Sequence, residues 1–89
     1  MGEVVASIKL LPAEADLDLE KIKEAVVRSL PEGARIHRFD EEPIAFGLKA
    51  LIAHVVMPET EEGFMEKVEE AVRKAEGVGE VEVLMVRRF

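Results

Sequence analysis

Apolar residues along this chain change period several times, and each change marks an element. From Met1 to Leu11, Val4, Ala6, Ile8 and Leu10 alternate with Val5, Ser7, Lys9 and Leu11. A period of two places the sets on opposite faces of a strand, and apolar residues on both faces predict a central one. Pro12 ends it, because proline donates nothing to a ladder. After an acidic loop, Pro12 to Leu17, the residues Leu19, Ile22, Val26 and Leu30 recur every three or four positions and form one helical stripe. Asp18 is the expected N-cap, with Asp16 the alternative, and Pro31-Glu32-Gly33 stops the helix. Ala34 to Asp40 reads as a second strand of mixed polarity, suited to a sheet edge, and ends in the cluster Asp40-Glu41-Glu42. Phe46 to Met57 is a third, more apolar strand, and the short connection makes the pair an antiparallel hairpin. Thr60 is the expected cap of a second helix with the stripe Phe64, Val68, Val72 and Ala75, ended by Gly77 and Gly79. Val78 to Arg87 is the last strand. Strict alternation places Val81, Val83 and Met85 on one face and Leu84, Val86 and Arg88 on the other.

The resulting order, β-α-β-β-α-β, predicts an α+β fold of the ferredoxin-like kind. It is a two-layer sandwich of a four-stranded antiparallel sheet with both helices on one face. The segment from Glu20 to Val26 matches that from Glu66 to Val72, either as an internal repeat or as a coincidence of common helix residues. The element order does not depend on which.

Composition narrows the function more than the fold. With 89 residues, 1–89 is expected to be a single domain. There is no cysteine, which removes disulfides, a thiolate zinc site and a cysteine nucleophile. No apolar run reaches the roughly 18 residues of a membrane span, and Met1 to Leu11 lacks a basic leader, so a cytoplasmic protein is expected. The net charge of −7 argues against direct nucleic-acid binding, which needs a basic surface. It suits a basic protein partner, or solubility alone. Asn and Gln are also absent and charged residues make up 35%, a pattern found in proteins selected for heat.

Catalytic constellations are missing from the sequence. His37 and His54 lack metal-ligand spacing, and Ser7 and Ser29 have no elbow motif or adjacent base. The chain has no Asn for acylphosphatase chemistry and lacks the aromatic pairs of an RNA-recognition motif. Neither an enzyme nor a bound cofactor or metal is expected. Two binding features remain. Phe46 follows Pro43 and precedes Gly47, and is either a protruding anchor or part of its own sheet; the glycine would let another backbone come close. Arg87-Arg88-Phe89 follows the last strand, either as a probe beyond the sheet edge or as an ordinary strand end.

The stretch from Glu41 to Leu51, with Met1-Gly2-Glu3-Val4-Val5-Ala6, Leu30-Pro31-Glu32-Gly33 and Val86-Arg87-Arg88-Phe89, closely resembles the archaeal elongation factor 1-beta family. The resemblance covers nearly the whole chain. It implies a guanine-nucleotide exchange domain that sits across the nucleotide site of elongation factor 1-alpha. It further implies that Pro43, Phe46, Gly47, Arg87, Arg88 and Phe89 contact that partner. The aromatic at the position of Phe46 would insert into a hydrophobic pocket beside a switch region. Arg88 stands where the eukaryotic branch has a lysine that disturbs the magnesium and phosphate-loop region. Guanidinium is larger and planar, so the same contact does not follow from the match. A different class, a small-molecule-sensing regulatory domain of the ACT type, would use a partly apolar open sheet face drawn from Leu51, Val55, Leu84, Val86 or their neighbours.

Overall fold

A computed structural model describes residues 2–14, 16–45, 47–59 and 63–89. The elements are β1 (Glu3–Pro12), α1 (Leu19–Ser29), β2 (Arg35–Pro43), β3 (Lys49–Pro58), α2 (Phe64–Arg73) and β4 (Val78–Arg88). They form one sheet in the order β2-β3-β1-β4 with every pairing antiparallel, which is the ferredoxin-like arrangement.

Both helical stripes lie against one sheet face. Ile22, Ala25 and Val26 of α1 and Phe64, Val68 and Val72 of α2 join Ala6, Ile8, Leu10, Leu51, Ala53, Val55 and Met57 in a single core. Each fully buried Val, Leu, Ile or Phe there contributes about 1.5–3 kcal/mol. Asp18 caps α1 as expected, its carboxylate accepting from the Glu20 amide at 2.9 Å. The expected Thr60 cap lies outside the described residues; the described residue before α2 is Gly63, with no side-chain cap. Gly79 does not end α2, which stops at Arg73. It sits in β4 instead, where an added Cβ would come within 2.8 Å of the Ala13 Cα.

Three expectations are corrected. β2 runs through the acidic cluster to Pro43, where Asp40, Glu41 and Glu42 meet basic side chains of the sheet and of α1. Glu42 pairs with Lys9 at 2.9 Å, while Glu41 lies 3.6 Å from Lys23 and 3.5 Å from Lys49. β3 accordingly begins at Lys49. In β4, Ser7 pairs with Met85 but Ile8 with Val83, so Leu84 is an extra residue, a bulge. The alternation resets there: Met85 and Arg87 share the face of Ser7 and Val5, while Val86 and Arg88 share that of Ala6 and Val4. Finally, Leu51 and Val55 are core residues rather than open-face ones.

The open face is crossed by polar straps. Arg35 of β2 donates to Glu3 of β1 at 2.7 and 3.2 Å, reaching over β3, and Lys9 reaches Glu42 the same way. Between them runs Ser7–His54–Asp40, at 2.9 and 2.8 Å. Beneath the first strap Val5 and Val56 are buried although no helix covers them. The strapped face is thus not the apolar surface that a ligand-sensing, sheet-to-sheet dimer would use.

Candidate partner-binding site

Of the six expected contact residues, the five described ones divide between the two ends of the sheet. Pro43 pairs with Lys49 where the β2–β3 hairpin closes. Arg88 lies level with Val4, and Val4 with Met57, at the other end. From Lys49 to Met57 the strand spans about 27 Å at the usual rise. The hairpin residues and Arg87-Arg88-Phe89 therefore form two separate surfaces.

At the hairpin end the loop is pinned by its own backbone. The Ile44 amide donates to the Leu48 carbonyl at 2.9 Å, and the Leu48 amide to that of Ala45 at 2.8 Å. Gly47 has φ of 79°, the left-handed region, and among the described residues, its chain neighbours aside, nothing lies within 4 Å of where its Cβ would be. The turn itself thus requires glycine here. Phe46 lies outside the described residues. Its neighbours Ile44 and Leu48 are exposed, and with Leu11, Pro12 and Lys49 they line a hollow of about 290 Å³. The sequence did not single them out, since Leu48 reads as part of the third strand and Ile44 as part of its connection; the available signal was three large apolar residues, Ile44, Phe46 and Leu48, within five positions of a turn.

At the other end the structure separates Arg87 from Arg88. Arg87 lies on the open face beside Val5, and no ion pair involves it among the described residues. Arg88 is on the helix side, its side chain 86% exposed and 3.8 Å from Glu59. Phe89 is 56% exposed but tethered to the sheet. Its amide donates to the Glu3 carbonyl at 3.0 Å, and its ring lies edge-on to His37 at 4.9 Å, with the Arg35 guanidinium 5.8 Å from its centre. An apolar ring gains more over a strap and an imidazole than in water. Together with His37, Arg38, His54 and Val5, the three terminal residues border a cleft of about 230 Å³.

Two carboxylates on this face titrate low. The hydrogen bond from Arg35 holds Glu3 below its ordinary value, and the bond to His54, aided by Arg38, does so for Asp40. Ser7, expected to have no adjacent base, has one in space: His54 Nδ1 is 2.9 Å from its hydroxyl, with Asp40 behind. The carboxylate only accepts, so in the neutral ring Nε2 carries the proton and Nδ1 accepts from Ser7. The row copies a nucleophile–base–acid order, but Ser7 is 9% exposed in mid-sheet between β3 and β4. The strand amides around it are committed to ladders and cannot serve an oxyanion. The row clamps three strands.

The fold is that of a small α+β domain of the ferredoxin-like kind. The chain belongs to the family described as the EF-1 guanine nucleotide exchange domain, whose model matches residues 5–89. It is 48% identical to "Elongation factor 1-beta" of Staphylothermus marinus and 49% identical to that of Methanothermobacter thermautotrophicus, in each case over 100% of this chain and 99% of the relative. The protein of the same name from Methanosarcina barkeri is 47% identical and fully covered. A solution structure of the C-terminal domain of the MgtC protein from Mycobacterium tuberculosis shares the fold, with a TM-score of 0.61 over 98% of this chain and 87% of that one at 12% identity. Among the described residues no helix is long and apolar enough to cross a membrane.

Proposed function

We propose that residues 1–89 act as a single exchange domain that promotes replacement of GDP by GTP on elongation factor 1-alpha in the cytoplasm. The family match over residues 5–89, with relatives covered end to end, carries this reading. Exchange makes and breaks no covalent bond, so the protein needs no catalytic residues and no cofactor of its own. It binds the nucleotide-free partner more tightly than the GDP-bound one, and linkage requires that it weaken GDP binding by the same factor. GTP then refills the site and releases the factor.

The contacts assigned to this task are Pro43, Phe46 and Gly47 at the hairpin end and Arg87, Arg88 and Phe89 at the other. Two surfaces about 27 Å apart suit a partner gripped at two places. The test is release of a fluorescent GDP from elongation factor 1-alpha with and without this protein. Acceleration by substoichiometric amounts supports the reading; an unchanged rate with a partner shown to be active overturns it.

A further inference from the structure

β2 carries one register shift and β4 two, and one in each edge strand turns an arginine toward the same place. In β2, Ile36 pairs with Val55 but Arg38 with His54, so His37 is an extra residue. In β4 the extra residue at the shift between Ser7 and Ile8 is Leu84. Continued alternation would put Arg38 on the helix-covered face with Ile36, and Arg87 there with Val83. The bulges reset both, and Arg38 and Arg87 join the open face. Bulges commonly re-aim side chains in this way beside binding sites.

The result is the cleft over Val5 bordered by His37, Arg38, Arg87 and Arg88. Its cations are lightly committed. Arg87 has no ion pair among the described residues and Arg38 meets Asp40 at 3.4 Å through Nε, while Arg88 only borders the rim, its guanidinium turned to the helix side 3.8 Å from Glu59. Of the nearby carboxylates, Glu3 is taken up by Arg35 and Asp40 by His54. This is a concentration of guanidinium groups on a molecule of net charge −7. Guanidinium forks match the oxygens of phosphate, and they bind it more strongly where a low-dielectric floor lies beneath.

We infer that this cleft is a binding site for a phosphate-class oxyanion, a phosphate or diphosphate group. The inference stands on the bulges and the cleft and does not need the exchange reading. The group comes either free from solution or on a nucleotide, and the chemistry of recognition is the same.

The experiment is an NMR titration of the ¹⁵N-labelled protein with inorganic diphosphate at fixed low ionic strength, following arginine Nε and histidine ring signals. Saturable shifts confined to His37, Arg38, Arg87 and their neighbours are expected. Arg87→Gln should weaken binding about tenfold or more, Arg38→Gln similarly, and Arg73→Gln on α2 not at all. A parallel titration with GDP identifies the source: tighter binding at the same residues assigns a nucleotide phosphate, equal or weaker binding a free one. Shifts that fail to saturate, that spread over every basic residue, or that persist unchanged in folded Arg87→Gln and Arg38→Gln overturn the proposal.

Discussion

Asp40 holds the middle of the open face together, and its chemistry makes a pH prediction. Its carboxylate accepts from His54 at 2.8 Å and lies 3.4 Å from Arg38. Both favour the charged form, so its pKa in the folded protein lies below the ordinary 3.8. A group depressed on folding stabilises the fold above its unfolded pKa, and that contribution is lost as pH falls through the folded one. Glu3, held low by Arg35, behaves in the same way from its ordinary 4.5. Stability should therefore fall on acidification below the usual carboxylate range. Asp40→Asn should flatten that acid limb in urea melts taken at a series of pH values; an identical limb would show that the contact is not maintained in solution. Arg88 makes the opposite kind of case. With its side chain 86% exposed and one long contact among the described residues, Arg88→Ala should leave the thermal midpoint within about a degree or two. GDP release from the partner should nonetheless slow several-fold. A large loss of stability in Arg88→Ala would reassign it from contact to scaffold.

At the level of elements, the two helical stripes are where the fold is most exposed to mutation. Val68 is fully buried, and Val68→Asp would place an unpaired carboxylate in the core. The cost, about 4 kcal/mol or more, is comparable with the total stability of a domain this size, so far-UV circular dichroism should report an unfolded chain. Gly79→Ala should be milder, about 1–3 kcal/mol by chemical denaturation, since the added Cβ presses on the Ala13 backbone at 2.8 Å. The stripes and the element order were legible in the sequence because helix and strand periods differ so plainly between Leu19 and Leu30, and between Val4 and Leu10. The bulges were not. Val83, Leu84, Met85 and Val86 are four apolar residues in a row, and such a run hides where alternation is reset. Nor did the acidic residues of β2 look like strand, because their partners Lys9 and Lys23 are distant in sequence and Lys49 comes within reach of Glu41 only once the hairpin closes. The same distance concealed the Ser7–His54–Asp40 row and the docking of Phe89 on His37. At the candidate site, the sequence drew attention to both clusters, but only the strand register reveals that they lie at opposite ends.

That separation decides how the whole molecule must work if it exchanges nucleotide. The hairpin closure at Pro43 and Lys49 and the Arg88 end, level with Val4 and Met57, lie at opposite ends of the sheet. The strand between the two ends, Lys49 to Met57, spans about 27 Å, too far for residues at its two ends to act on a single point of the target. If each end holds its own surface of elongation factor 1-alpha, the losses from Phe46→Ala and Arg88→Ala should add as free energies, within about 0.5 kcal/mol, when exchange is measured under subsaturating conditions. Independent contacts leave the remaining one intact, and the double variant then retains the product of the two fractional rates. A double variant no worse than the poorer single one would mean that the ends operate as one unit, with one contact useless without the other. Strong coupling of that kind would point to a change of shape in the partner that both ends must drive together. Additivity would point to a rigid bridge whose two grips merely sum. The cycle therefore distinguishes two mechanisms of exchange that this fold permits, and it needs only folded variants of two exposed ends.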